Sequence, residues 1–381
     1  MIRYQPLSDF LTEYTLRNDN NQYKPVAVGR YGIRTRDSIY TKELAKDYSK
    51  NKVIYQDTLT VGMGSVQIDI GILTEDIRYS VSPAYHTYQI RNINPAYLRY
   101  CLECRNQDMF TRFVKRGSRQ GKSIDLKRWL TYEIPVFDER KQAEIVAVLD
   151  RISTQVANRQ EQLELFEQLV KSRFIELFGD PIDNPKAFPV RKLKTLSRKI
   201  SDGVHAKPQY TETGRPFLSV VNINKGVINF DGCKFVSEEA YQKMIKSTHP
   251  ERGDVLYTKV GATYGIPAYV DTDTEFCLYV SVCLIKPLHE EINSRFLSLS
   301  MGMPYVKRQA DSRIKGIGVP DLHLNQISEF NILCPPRALQ EQFIAFVEQT
   351  DKSKFFACQT LSFLLKLANN LQSWREKQYD Y

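Results

Sequence analysis

The side chains best suited to bind a ligand are basic, and they gather in two stretches. Thr111 to Lys122 carries Arg112, Lys115, Arg116, Arg119, Gln120 and Lys122 with no acid, beside Gly117 and Gly121. Lys307 to Val319 carries Lys307, Arg308, Gln309, Arg313 and Lys315 beside Gly316 and Gly318. Lys and Arg neutralise phosphates and supply much of the affinity for DNA. Arg and Gln also pair with base edges, and Gly lets a backbone approach closely. Both stretches therefore read as mobile basic loops that contact DNA. Further candidates are Arg34 and Arg36, His205 and Lys207 in the polar run Ser201 to Pro208, and Lys259 and Tyr264 in the glycine-bearing run Lys259 to Gly265. One basic loop alone would read as a solvated connection. Two at matching places shift the balance toward function.

Other chemistry is missing its parts. There is no Gly-x-x-x-x-Gly-Lys-Ser/Thr loop for nucleotide phosphates and no Gly-x-Ser-x-Gly elbow. Gly62 and Gly64 lack the rest of a dinucleotide fingerprint. Asp183-Asn184-Pro185-Lys186 only faintly echoes an amino-methyltransferase motif, without its second Pro and aromatic. Cys101-Leu102-Glu103-Cys104 offers two zinc ligands where a structural site uses four, and ordinary helix packing explains the pair better. The five histidines form no ligand pattern. No catalytic centre is expected.

Two long helices must position the basic stretches. Glu139 to Leu177 follows the strand-like Glu133 to Phe137, opens behind Asp138 as a cap, and contains neither Gly nor Pro. Its apolar residues, Ile145, Leu149, Ile152, Val156, Leu163, Phe166, Val170 and Leu177, step by threes, fours and sevens. That is a coiled-coil seam on a helix roughly 60 Å long. Arg159 and Arg173 interrupt it, which predicts local solvent or partner contact. The segment after Pro336 repeats the layout, with Phe343, Val347, Ala357, Leu361, Leu364, Ala368 and Leu371. Earlier landmarks also recur in one order at a nearly constant separation: Asp57 with Asp254, Gly64 with Gly261, Asn94 with Asn293, Pro135 with Pro335, Gln142 with Gln342. The expectation is a duplicated unit, a globular part followed by a long helix.

Composition agrees with two ordinary soluble domains: 381 residues, 42% hydrophobic and 25% charged. The net charge of +9 suits a polyanionic partner. Seven cysteines argue against a disulfide framework. The N-terminus lacks a signal peptide's apolar core, and no run is long enough to span a bilayer, so no membrane association and a cytoplasmic location are expected.

These motifs resemble the specificity subunit of a type I restriction–modification system. The second helix start, Cys334-Pro335-Pro336-Arg337-Ala338-Leu339-Gln340-Glu341-Gln342, is similar to the Pro-Pro-Leu-x-Glu-Gln opening of that family's helical regions. The first, Ile134-Pro135-Val136-Phe137-Asp138-Glu139-Arg140-Lys141-Gln142, matches in part and continues Ile145-Val146-Ala147-Val148-Leu149-Asp150. Leu177-Phe178-Gly179-Asp180-Pro181 resembles the family's junction into a second recognition domain. The resemblance implies an α+β fold in which two target recognition domains (1–137 and, with a linker, 180–335) alternate with two long antiparallel helices (138–179 and 336–381) forming a coiled-coil spacer. It implies a non-catalytic chain that reads a bipartite asymmetric site on double-stranded DNA and joins two methyltransferase subunits and restriction–translocase subunits. The chain would need no cofactor of its own; S-adenosylmethionine, ATP and Mg would bind those partners. Phe174, Leu367 and Trp374, read as lying off the seam, are the expected docking residues. The alternatives are service to a fused methylase–nuclease, an atypical methyltransferase or nuclease, and a coiled-coil scaffold that binds no DNA.

Overall fold

The computed structural model describes residues 3–30, 32–39, 47–117, 121–223, 226–314 and 318–377, and at 116–117 and 369–377 the backbone only. The chain forms two compact units. The first joins Met1–Asn158 with Leu361–Tyr381, and the second is Arg159–Thr360. The long helices are thus shared between units, where the sequence suggested segments cut at the helix ends.

In the first unit, strands β1 (Arg3–Pro6) and β2 (Leu11–Tyr14) lead to the hairpin β3 (Val26–Gly29) and β4 (Gly32–Thr35). Then come β5 (Lys52–Ile54), β6 (Thr58–Met63), β7 (Ile68–Leu73), β8 (Tyr79–Val81) and β9 (His86–Ile90). The central sheet runs β2-β9-β6-β7, all antiparallel. Helices α1 (Pro95–Cys104) and α2 (Asn106–Phe113) follow, then a hairpin of β10 (Val114–Gly117) and β11 (Gly121–Ile124), short α3 (Leu126–Trp129) and β12 (Glu133–Val136). Asn94 caps α1 by accepting from the Tyr97 N–H at 3.0 Å, with Pro95 in the first turn. The apolar faces of α1 and α2 close over the sheet around Leu59, Val61, Tyr97, Leu98, Met109 and Trp129, all fully buried. Strand β12 pairs antiparallel with β1 just before the first long helix, α4 (Glu139–Phe178). Asp138 starts α4 as expected, its carboxylate accepting from the Lys141 N–H at 2.9 Å.

The second unit repeats much of this order. It holds β13 (Val190–Lys192), β14 (Ser197–Asp202), β15 (Arg215–Leu218), α5 (Val220–Ile223), β16 (Lys234–Val236), α6 (Glu238–Met244), β17 (Val255–Thr258), β18 (Pro267–Tyr269), β19 (Cys277–Leu278) and β20 (Val282–Pro287). Helices α7 (Ser294–Met301), α8 (Pro304–Asp311) and α9 (Leu324–Ser328), strand β21 (Asn331–Leu333) and the second long helix α10 (Arg337–Lys377) complete it. Its sheet, β14-β20-β17-β18, is antiparallel with the same layout as β2-β9-β6-β7. Strand β13 pairs with β21 as β1 does with β12. Strands β17 and β20 are buried at every position, since α7 and α8 cover one face and β15 and its neighbours the other.

The seam expected on α4 is present. Ile145, Leu149, Ile152, Val156, Leu163, Phe166, Val170 and Leu177 are each half-buried, and most of the residues between them are exposed. Within the second unit α4 and α10 run antiparallel. Phe178 and Phe174 meet Phe343, whereas Arg173, nearer the start of α4, lies over the Phe346 ring at 5.5 Å. Arg173 is therefore held in the helix contact rather than in solvent. Phe174 corrects the docking expectation. It is 1% exposed and packs with Phe178, Phe296, Tyr305 and Phe343. The strict heptad seam is narrow, but the last turns of α4 also face α7, so the buried stripe widens there to a globular-domain face. Helix α4 stops at Gly179, whose φ of +77° suits glycine and whose missing Cβ leaves room for the Pro185 ring.

Candidate DNA interface

In the first unit one end of the central sheet gathers the cations. There β2 ends at Tyr14, β9 begins at His86, and β6 turns into β7. His86 Nδ1 lies 3.1 Å from Glu13. The described part of the expected basic loop is helix and strand: Arg112 lies in the last turn of α2, and β10 pairs with β11, Lys115 opposite Ser123 and Arg116 opposite Lys122. Glycines near a turn permit a hairpin as readily as a loop, and the sequence reading took them as loop. The Lys122 ammonium donates to the Ser65 carbonyl in the β6–β7 turn and lies over the Phe110 ring, which fixes the hairpin against that end of the sheet. Arg112 pairs with Asp108 at 2.7 Å, and Lys115 with Asp125 at 2.6 Å; both cations stay largely exposed. The Lys115 bond holds the Asp125 carboxyl below its usual range. Burial does the opposite to Asp69 at the start of β7, raising its pKa. Arg119 and Gln120 lie outside the described residues, as does the Arg116 side chain. Arg34 is exposed on β4, and Arg36 opens the turn that follows.

In the second unit the corresponding sheet end is built differently. Lys259 is 4% exposed and sits 3.6 Å from Asp202 and 3.5 Å from Asp321. It ties β14, β17 and the segment before α9 together, so it is not available to a phosphate. Lys307, Arg308 and Gln309 lie on α8, not in a loop. Lys307 pairs with Asp311 and lies 4.0 Å over the Tyr264 ring, while the Tyr264 hydroxyl donates to Asp311. Burial works against the Lys307 charge, but those two partners outweigh it and raise its pKa; the same lysine and tyrosine lower that of Asp311. Gln309 spends both ends of its amide on the Asn331 backbone, at 3.0 and 2.8 Å. Arg313 donates to the Gln309 and Glu329 carbonyls and covers Phe330. Of these described basic residues Arg308 alone is exposed rather than half-buried or buried. Lys315 lies outside the described residues. His205 and Lys207 are exposed. Lys207 and Lys234 flank the Tyr210 ring, 5.8 and 4.3 Å from its centre. Sequence reading missed Tyr210 and Lys234, because a contact between residues so far apart leaves no local pattern.

Docking candidates are equally mixed. Leu367 is half-buried on α10, and the Trp374 side chain is outside the described atoms. Phe355 and Phe356 on α10 are the more open pair, 59% and 66% exposed, rimmed by Glu348, Asp351 and Lys352. Among the described residues no group of three or more His, Cys, Asp or Glu is placed to hold a metal ion, and no helix is long and apolar enough to cross a membrane. Cys101 and Cys104 form no disulfide.

No protein-family profile matches the chain. A type I restriction enzyme MjaIX specificity subunit from Methanocaldococcus jannaschii is 22% identical over 284 residues, 68% of this chain and 64% of that protein. The chain thus spans under two thirds of that relative's length. The crystal structure of a type I restriction–modification S subunit from M. genitalium superposes over 98% of this chain and 95% of its own, with a TM-score of 0.58 at 14% identity. The chain has the fold of a type I specificity subunit. A second solved chain, from work on assembly and conformational transition of a type I restriction–modification system, covers 98% of this chain and 96% of its own, with a TM-score of 0.55 at 18% identity. The specificity-subunit fold accounts for the α+β class, the two long helices and the order of elements that the sequence suggested.

Proposed function

We propose that this chain is the DNA-reading specificity subunit of a type I restriction–modification complex, with no catalytic chemistry of its own. The observation that carries the reading is the basic hairpin β10–β11. Its described strands are anchored to the sheet through Lys122, with the mostly exposed cations Arg112 and Lys115 at their base. A two-stranded ribbon fits the DNA major groove. The second unit repeats the sheet with another set of exposed cations: Arg308, Lys207 and Lys234. Two such units on one chain suit two unlike half-sites, and the matching sheets and strand pairs support descent by internal duplication. The long helices set the gap between half-sites. Methyltransferase subunits dock on open apolar residues of α10, Phe355 and Phe356, in place of Phe174. Methyl donor, ATP and Mg belong to the partner subunits.

The test is charge reversal at Arg112, Lys115 and Arg116 in the chain assembled with its methyltransferase partners. DNA binding should fall by at least a hundredfold at physiological ionic strength, roughly the effect of losing several phosphate contacts, with assembly unchanged. Binding as tight as the parent's would refute the assignment, and intact DNA methylation by the purified chain alone would show an enzyme instead. A fused methylase–nuclease partner fits the same geometry; co-purification of one polypeptide carrying both activities identifies it.

A further inference from the structure

The first unit carries a cleft whose chemistry the hairpin does not explain. It has a volume of about 290 Å³ and opens between the β3–β4 hairpin and the end of the central sheet, with Arg36, Gly62, Ser82 and Tyr85 among its walls. Among the described residues no acidic side chain lines it. We propose that this cleft holds one backbone phosphate of the DNA, gripped by Arg36; the proposal rests on the DNA-reading role above and names one of its contacts.

Three observations carry it. The Arg36 Nε is buried and has no hydrogen-bond partner among the described residues. A buried donor left unpaired is costly, so a turn of the Arg36 side chain that brings it to an acceptor in the cleft recovers free energy. The guanidinium lies 5.2 Å from the centre of the Tyr48 ring, a contact that supports its plane without consuming an N–H. The cleft itself is built into the fold. The Tyr85 hydroxyl donates to the Val28 carbonyl at 2.8 Å, and the Tyr85 carbonyl accepts from the Lys52 ammonium at 2.6 Å. Against that fixed ring only glycine fits at position 62, where a Cβ would fall 2.3 Å from two ring carbons.

The shape selects the part of DNA that enters. Base edges lie inside a groove and are reached by elements narrow enough to enter it, such as a two-stranded ribbon. A concave site takes the convex part of the duplex, its phosphate ridge. A planar guanidinium with a nearby Ser82 hydroxyl matches the tetrahedral anion, and Arg binds phosphate oxygens through parallel N–H bonds. Phosphate contacts fix register and orientation without reading sequence, so Arg36 would seat the first unit while the hairpin reads.

Salt-dependent DNA binding by the assembled complex tests this, using the parent chain, R36A and R36K on cognate DNA and on variants changed at single base pairs. R36A should weaken binding to all these DNAs about tenfold, the scale of one charge-assisted hydrogen bond. The slope of log K against log salt should become shallower by about 0.9, one phosphate contact. R36K, which keeps the charge, should retain the parent slope, and both variants should melt with the parent. Unchanged affinity and slope in R36A would overturn the proposal. So would a loss confined to one base-pair position with the slope intact, which would make Arg36 a base reader. A parent complex that binds no DNA at any salt would instead remove the DNA-reading role itself.

Discussion

Two buried glutamines join each globular part to the start of its long helix. Gln142 accepts from the Asn94 N–H at 2.9 Å and donates to the Phe137 carbonyl at 2.7 Å. Gln340 accepts from the Asn293 N–H at 3.0 Å and donates to the Pro335 carbonyl at 2.8 Å. One amide thus satisfies a backbone group at the entry to the α1 or α7 region and another where the long helix begins. Replacing Gln340 with Ala should strand both, costing about 1–3 kcal/mol for each group left buried without water. Urea unfolding will show this as a lower midpoint; an unshifted midpoint would mean that the clamp is idle. The sequence pointed to a recurring glutamine but aligned Gln142 with Gln342, which is exposed. Both Gln340 and Gln342 lie in the same short motif, and only the hydrogen bonds distinguish them. The Arg36 cleft was less legible still. Arginine at that position drew attention for its charge, but Gly62, Ser82 and Tyr85 converge on it only through the folded sheet.

Among the elements, the long helices were the most legible and the basic segments the least. A period of 3.5 residues is a local property, visible without knowing the partner, and the half-buried stripe of α4 follows it position by position. The heptad rule fails near Phe174, where a helix of the globular part adds a second neighbour. That misreading separates two outcomes. As a docking residue, Phe174 changed to Ala would leave stability intact and weaken assembly. As the centre of the ring cluster with Phe178, Phe296 and Phe343, it should cost about 3–5 kcal/mol on truncation. Calorimetry of the F174A variant decides between them: a transition at the parent temperature would return Phe174 to the surface. The basic stretches looked alike in sequence because charge and glycine content were all that could be compared. One became a hairpin with cations at its surface. In the other, α8 spends Lys307 and Gln309 on internal bonds, and Arg313 just beyond it turns back to the Gln309 carbonyl. A count of basic residues does not reveal how many have a carboxylate or carbonyl waiting for them.

For the whole molecule, the proposed spacer role makes a quantitative claim. Removing one heptad from α4 and one from α10 keeps the seam in register and shortens each helix by about 10 Å. The preferred gap between half-sites should then contract by about three base pairs at 3.4 Å per step, measurable by mapping methylated sites in DNA with every gap length. An unaltered gap would rule out helix length as the determinant. A further consequence follows from the paired strands β13 and β21, which bring the two ends of the second globular part side by side. Everything from Leu193 to Phe330 is suspended between two neighbouring points of the backbone, some 5 Å apart as antiparallel partners are. A segment mounted this way is a cassette. On the proposed DNA-reading role, exchanging it for one of different length and surface should leave the helices that carry it in place and change the DNA site addressed.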